Sequence, residues 1–136
     1  MIKKLFNTGN HSARINLALL LFRSGIGILM LTHGYPKFQR LMAGEYSFGD
    51  PLGFGVEASL ILTVLAEFVC SILLILGVAT RLALVPLMAT MAVAWFIVHA
   101  DDPFGTQEKA AMYLLCFLVL MITGPGKYSA DKKFFG

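Results

Sequence analysis

Four long apolar stretches divide the chain, and they constrain its fold more than any other feature. They cover about residues 15–37, 57–76, 81–99 and 108–124. A helix of roughly 17–25 residues crosses the hydrocarbon core of a bilayer, so each stretch is long enough to span it. Apolar residues make up 57% of the chain and charged residues 14%, which leaves too little polar sequence to cover four buried helices in water. The sequence therefore predicts an all-α integral membrane four-helix bundle, in which residues 1–136 form a single membrane domain.

Turn-forming residues separate the four stretches. Pro36 cannot donate a backbone hydrogen bond, so we expect the first span to end or kink there. Gly77 is placed to cap the second span, and the short link after it makes spans two and three an antiparallel hairpin. Residues 101–103 (Asp-Asp-Pro) and 124–126 (Gly-Pro-Gly) close the third and fourth spans. The sizeable loop, from Phe38 to Glu57, belongs to a length class that is usually functional or mobile.

Basic residues are distributed unequally between the two ends of the predicted bundle. The end that carries both termini holds seven, namely Lys3, Lys4, Arg14, Arg81, Lys127, Lys132 and Lys133. The opposite end holds three, namely Lys37, Arg40 and Lys109. The positive-inside rule therefore predicts that both termini are cytoplasmic. The basic residues do not form a stripe interleaved with aromatic residues, so we expect the lipid bilayer and not nucleic acid as a partner.

Two charged residues, Arg23 and Glu67, lie well inside the first and second spans. Each would cost about 2.5–3.5 kcal/mol at a helix centre on insertion scales, so neither should face lipid. Counted from Arg14 and from Gly77, the two residues lie at depths that agree within about one helical turn. We therefore expect a buried Arg23–Glu67 ion pair. Such a pair either fixes helix packing or lines a path for a substrate or proton, and the sequence leaves both open.

A second group of polar residues lies toward the opposite ends of the spans. His33 and Lys37 are four residues apart and share a helix face with Arg23. Gly27 and Gly34 on this face would let another helix approach closely. We expect a ligand-binding site or proton path formed by Arg23, His33, Lys37, Glu67 and His99. We expect Trp95 and Tyr113 to line the same outward-opening pocket.

Several of these residues also have ordinary structural interpretations. The aromatic residues could form an interfacial belt, Lys37 could extend its ammonium to the headgroups, and His99 could simply lie at a wet helix end. Two histidines on separate spans are a weak signal for haem or metal, so no metal site is predicted. Cys70 and Cys116 lie far apart in apolar runs without a CxxC pattern, which favours structural cysteines.

Short motifs follow one another along the chain in a fixed order. They are Arg23-Ser-Gly25, His33-Gly34-x-x-Lys37, Ala66-Glu67, Leu76-Gly77-x-x-Thr80-Arg81, His99 and Thr123-Gly-Pro-Gly-Lys-Tyr-Ser-x-Asp131. This ordered set, from about residue 13 to residue 131, resembles the DoxX family. The resemblance implies a four-helix, multi-pass protein of the plasma (inner) membrane. It also implies roles for Arg23, His33, Lys37, Glu67 and His99, the residues that the bilayer argument selects.

The family is named for a subunit of a thiosulfate:quinone oxidoreductase. The resemblance implies a redox-associated membrane subunit that binds a quinone or another small apolar ligand, with another membrane or membrane-associated redox protein as partner. One alternative is a non-catalytic scaffold or assembly subunit, which would have satisfied polar groups and no cavity. A second is a small proton-coupled transporter, which would need a water path past Glu67. The sequence does not decide whether the chain is an enzyme, and its small residues are compatible with a homo-oligomer.

Overall fold

The structure, a computed structural model, describes residues 1–136 and contains helices and no strands. In chain order the helices are α1 (Ile2–Leu5), α2 (Ala13–Met42), α3 (Val56–Leu76), α4 (Thr80–Val98), α5 (Phe104–Thr123) and α6 (Ala130–Phe135). The four helices α2 to α5 are each long and apolar enough to cross a membrane. The predicted all-helical protein with four spans is therefore confirmed.

The spanning helices pack in chain order, α2 against α3, α3 against α4 and α4 against α5, and α5 also contacts α2. Fully buried side chains fill the centre, among them Met30, Leu74, Leu84, Leu87, Phe117 and Leu120. Large apolar side chains also cover the outer surface, where Leu21 is 65% exposed and Leu115 is 63% exposed. A small apolar core inside an apolar exterior is expected when lipid rather than water surrounds the bundle.

The end of the first span differs from the prediction. α2 continues through Pro36 to Met42, and the loop that follows is shortened to residues 43–55. Proline removes one backbone hydrogen bond, which a long membrane-spanning helix tolerates when neighbouring groups satisfy the freed carbonyl. Gly77 ends α3 as predicted: it adopts the left-handed conformation at φ 71°, and its N–H donates to the carbonyl of Leu74 at 3.1 Å.

Two of the spanning helices contain a π-helical segment. In α3 the segment is Leu65–Cys70, and in α4 it is Ala94–Val98. A π-turn holds more residues than an α-turn, so it changes which side chains share a face, and such segments are frequent at functional sites. The segment in α4 lies at the end of the bundle that is remote from the chain termini, whereas the segment in α3 lies near the middle of its helix.

The chain termini are fastened to the other end of the bundle by polar contacts. The buried carboxylate of Asp131 accepts hydrogen bonds from the backbone N–H groups of Ala79 at 2.7 Å and Thr80 at 2.9 Å, which caps the start of α4. Arg81 donates through Nε to the carbonyl of Met121 at 3.0 Å, near the end of α5. The Thr80-Arg81 motif and the C-terminal motif therefore have a structural role, since together they attach the C-terminal segment to the start of α4 and the end of α5.

Candidate functional site

An ion pair joins α2 and α3 inside the bundle. Lys37 Nζ donates to a carboxylate oxygen of Glu67, whose side chain is 4% exposed. The two helices approach closely here because Gly34 lies against the α3 backbone: a Cβ at this position would overlap the Glu67 carbonyl and would lie 2.7 Å from the Phe68 nitrogen. A Cβ at Gly27 would likewise lie 2.6 Å from the Ile75 side chain. The predicted close approach at both glycines is confirmed.

Arg23 does not contact Glu67, and the expected Arg23–Glu67 ion pair is wrong. α2 and α3 run antiparallel, with Gly34 opposite Glu67. The guanidinium carbon of Arg23 instead lies near Gly77, within 3.2 Å of the position a Cβ would take there. Eleven residues of α2 separate Arg23 from Gly34, which corresponds to about 16 Å along the helix axis. Glu67 therefore lies more than two helical turns away from the level of Arg23.

The guanidinium of Arg23 joins the C-terminal segment to the bundle. It donates to the carbonyl oxygen of Pro125 and, at 2.7 Å, to that of Tyr128. Asp131 supplies the opposing charge through space. The residue is 1% exposed, so the prediction that it avoids lipid is confirmed. Its contacts give Arg23 a structural role at the terminal end, away from the candidate site.

A cavity of about 320 Å³ lies beside the Lys37–Glu67 pair, among all four spanning helices. Its polar lining consists of His33, Lys37, Glu67, His99, Thr106, Lys109 and Tyr113. Met30, Met91, Ala94 and Ala110 complete the lining with apolar surface. We call this space the polar cavity. Its volume is at the lower end of the range for small-molecule sites, about 300–1,000 Å³.

The structure brings five of the residues selected from the sequence to this cavity, namely His33, Lys37, Glu67, His99 and Tyr113. The rings of His33 on α2 and Tyr113 on α5 meet edge to face, with centroids 5.8 Å apart. This contact places both rings, one from each helix, at the edge of the polar cavity. A role for the five residues in binding a ligand or moving a proton stays a prediction.

His99 lies where α4 ends and the chain turns into α5. Its Nδ1 is 2.7 Å from a carboxylate oxygen of Asp102, and its carbonyl accepts a hydrogen bond from Gln107 Nε2 at 2.7 Å. These contacts fix the ring at the cavity edge and leave Nε2 as the nitrogen available to a ligand. A carboxylate on one imidazole nitrogen is also the usual way in which proteins orient a histidine.

Trp95 lies outside the polar cavity, and its expected place in the lining is wrong. Its indole stacks on Phe96 with centroids 4.5 Å apart, and Nε1 donates to Gln107 at 3.3 Å. The cause is the π-helical segment: the N–H of His99 bonds to the carbonyl of Ala94, five residues back, at 3.0 Å. In this wider turn Ala94 shares the face of His99, whereas regular helical spacing would have placed Trp95 there.

Sequence analysis missed two polar residues of the site, Thr106 and Lys109. Lys109 was used in the prediction only as one of three basic residues at the end of the bundle opposite the termini. It lies one turn before Tyr113 on α5, so the i, i+4 spacing already placed both on one helix face. Thr106 lies three residues before Lys109 and extends the same face. The spacing of Lys109 and Tyr113 within the predicted span 108–124 was a usable signal, whereas Thr106 precedes that span and required the earlier start of α5 at Phe104.

The chemistry of the polar cavity follows from its charges and its hydrogen-bond donors. It combines two ammonium groups, one carboxylate, two imidazoles and a phenol. Glu67 offsets the charge of Lys37, whereas Lys109 makes no ion pair, so the cavity has an excess of positive charge and donors. Imidazole and carboxylate groups can also take up and release protons. The arrangement fits a small ligand with hydrogen-bond acceptors on an otherwise apolar body.

The fold and the cavity together define a class of protein: a small multi-pass membrane bundle with a polar cavity among its four spans. The family model for DoxX matches residues 18–100, and the chain belongs to the DoxX family.

Two relatives cover nearly the whole chain. An uncharacterized protein of Haemophilus influenzae is 33% identical over 128 residues, which is 86% of this chain and 90% of that protein. Inner membrane protein YqjF of Escherichia coli is 31% identical over 135 residues, 96% of this chain and 95% of that protein. No solved structure gives a significant match. The family, the four spans and the similarity to an inner membrane protein identify this chain as a multi-pass protein of the plasma (inner) membrane.

Proposed function

We propose that this protein is a redox-associated membrane subunit that binds a quinone, or another small apolar ligand with a carbonyl-bearing head, in the polar cavity. One observation carries the proposal: His33, Lys37, His99, Lys109 and Tyr113 direct donors into one cavity beside a buried carboxylate. Ionisable groups inside a membrane-spanning bundle are costly. Their convergence on a cavity large enough for a ligand supports a binding function over a purely structural one.

The chemistry of a quinone matches what these side chains can supply. Its two carbonyl oxygens accept hydrogen bonds, and reduction to the quinol adds two electrons and two protons, one proton to each oxygen. Histidine and carboxylate groups can deliver or accept those protons. The side chains of the cavity supply hydrogen bonds and protons only. The electrons would pass to or from a partner, which we propose is another membrane or membrane-associated redox protein.

Two alternatives fit the structure less well. A scaffold subunit would have satisfied polar groups and no cavity, whereas here the polar groups surround open space. A proton-coupled transporter would need a water path from Glu67 to the end of the bundle that holds the chain termini. On that side Leu74, Leu84, Phe117 and Leu120 are fully buried in the core and fill the space between the helices. These observations favour ligand binding.

We further propose that both termini are cytoplasmic, so that the polar cavity lies in the outer half of the membrane. The excess of basic residues at the terminal end supports this orientation. Green fluorescent protein fused after Gly136 is expected to fluoresce, and alkaline phosphatase fused at the same point is expected to be inactive. Fusions made after Gly49, in the loop between α2 and α3, should give the opposite pair of signals. An active phosphatase at Gly136 would reverse the orientation.

The binding proposal is tested by native mass spectrometry of protein extracted in mild detergent, with quinone analysis of the same sample. We expect stoichiometric quinone on the wild-type protein. His33→Ala should weaken quinone binding about fivefold and lower its occupancy, because loss of one well-placed hydrogen bond costs on the order of 1 kcal/mol. His11→Ala is the matched control, since His11 contacts the Thr123 carbonyl at the terminal end.

Thermal unfolding curves show whether each variant is folded. The comparison of His33→Ala with His11→Ala then decides between the binding proposal and the scaffold alternative. A folded His33→Ala protein with lowered quinone occupancy, beside a fully occupied His11→Ala protein, supports the site. A wild-type protein that carries no quinone but copurifies with another membrane protein contradicts it and favours the scaffold alternative.

A further inference from the structure

A second cavity, of about 250 Å³, lies on the outer side of the contact between α3 and α4. α3 contributes Leu62 and Ala66 to its lining, α4 contributes Ala89 and Val93, and Phe54 of the preceding loop closes one end. We call this space the tail slot. Leu62 is 52% exposed and Phe54 is 60% exposed on the surface that faces outward from the bundle. The tail slot is therefore open toward the bilayer.

The lining of the tail slot offers no free hydrogen-bonding side chain from the two helices. Thr63 Oγ1 donates to the Ser59 carbonyl at 2.7 Å, and Thr90 Oγ1 donates to the Pro86 carbonyl at 2.9 Å. The two threonine hydroxyl groups are thus used within their own helices, as is usual for threonine in membrane helices. The Ser59 hydroxyl, which also lines the slot, donates to Asp50 of the preceding loop at 3.1 Å. An occupant that fits this surface has to be apolar along its length.

Only the contact between α3 and α4 separates the tail slot from the polar cavity. On α3, Ala66 lines the tail slot and the next residue, Glu67, lines the polar cavity. On α4, Val93 lines the tail slot and Ala94 lines the polar cavity. The linings of the two spaces therefore include adjacent residues on each helix, and an alanine belongs to each lining.

The backbone departs from regular α-helix on both sides of the contact between α3 and α4. Ala66 and Glu67 belong to the π-helical segment Leu65–Cys70, and Ala94 begins the second such segment. Pro86, which lines the tail slot, also removes one hydrogen bond from α4. Prolines and π-helical turns are where helices bend, and π-helical turns are frequent at functional sites.

We propose that the tail slot holds the apolar chain of the ligand whose polar head lies in the polar cavity, with the chain passing between α3 and α4. This inference rests on the proposed function and narrows its ligand class to lipid-soluble molecules with a small polar head and a long apolar tail. Such a ligand reaches the site sideways from the bilayer. One observation carries the inference: a polar and an apolar space lie on the two sides of the contact between α3 and α4, and adjacent residues of both helices line them.

The test uses two benzoquinones that share one ring and carry either a one-carbon or a ten-carbon chain. Binding of each is measured to wild-type protein and to Ala89→Phe in lipid nanodiscs. Ala89 is exposed and lines the tail slot, so phenylalanine there fills the slot without entering the core. Ala18→Phe is the matched control, since Ala18 is an exposed alanine on the outer surface of α2.

We expect Ala89→Phe to weaken binding of the long-chain quinone about tenfold or more. Binding of the short-chain quinone should weaken less than about twofold, because steric blocking acts only on the chain. Ala18→Phe should change neither. Equal effects on the two compounds, or no effect on either, would overturn the assignment of the tail slot while leaving the polar cavity as a head site. If wild-type protein binds neither compound, the proposed function fails and this inference fails with it.

Discussion

Replacing Arg23 with leucine is expected to destabilise the protein by about 3–5 kcal/mol, the usual cost of removing one partner from a buried charged network. The carbonyls of Pro125 and Tyr128 would lose their donor, and Asp131 would keep a buried charge without the opposing guanidinium. Thermal unfolding in detergent, followed by circular dichroism, measures the loss. Because these contacts hold the C-terminal segment, trypsin should also cleave the variant faster at the lysines of residues 127–133.

Arg14→Leu is the matched control for this prediction. Arg14 lies on the same helix, is exposed and makes no hydrogen bond or ion pair, so its removal should change stability by no more than about 0.5 kcal/mol. Arg23→Lys keeps the charge but not the two-carbonyl geometry, and it should recover part of the loss. Equal stability and equal trypsin sensitivity of Arg23→Leu and Arg14→Leu would show that Arg23 does not fasten the C-terminal segment.

Gly34→Ala is expected to cost about 1–3 kcal/mol or more, the usual range for overpacking a tight contact. The added methyl group would overlap the carbonyl of Glu67, and the neighbouring atoms are backbone atoms that cannot rotate away. α2 and α3 would have to separate, which would also lengthen the Lys37–Glu67 contact at the polar cavity. The variant should therefore unfold at a lower temperature and bind ligand more weakly.

Gly25→Ala provides the control in the same helix. No atom lies within 4 Å of the position that its Cβ would take, so the substitution is sterically free. Alanine favours helix over glycine by roughly 0.5–1 kcal/mol, so this variant should be as stable as the wild type or slightly more stable. If both variants gain stability, the close approach of α2 and α3 at Gly34 does not exist in the membrane.

Much of the architecture could be predicted because the bilayer imposes simple rules. Four apolar stretches of sufficient length gave the four spans, and glycines on one face of the first span marked the close contact with the second. The cap at Gly77 followed from glycine's access to the left-handed region. The end of α2 was missed, because a proline within a long membrane helix does not have to end it.

The partner of Glu67 was predicted wrongly because the depths were counted from Arg14 and Gly77 as if these two residues lay at one level, whereas Gly77 lies beside Arg23. In a helix the Cα–Cβ bond leans toward the N-terminus, so Lys37 on α2 leans toward the terminal end of the bundle. Glu67 lies on the antiparallel α3 and leans the other way, toward Lys37. Arg23 leans away from Glu67 and toward the C-terminal segment that it binds. Once Gly34 is known to lie opposite Glu67, the direction of the side chains therefore favours Lys37 as the partner.

The lining of the polar cavity was predictable only in part, because local backbone geometry decides the rest. His33, Lys37 and Tyr113 lie on regular helix, where spacing predicts the face. Trp95 lies in a π-helical segment, which nothing in the spacing of its neighbours indicates. The choice between Ala94 and Trp95 at the cavity therefore required the three-dimensional structure.

Photolabelling with an azidoquinone in inner-membrane vesicles tests the central claim, that the polar cavity is a ligand site, most directly. The labelled peptides are identified by mass spectrometry, with and without excess unlabelled quinone. We predict adducts on the residues around Met30, Met91 and Tyr113, which line the cavity on three different helices, and we predict that excess quinone abolishes them. Adducts confined to lipid-facing residues such as Leu21 and Leu115, unchanged by competition, would contradict the claim.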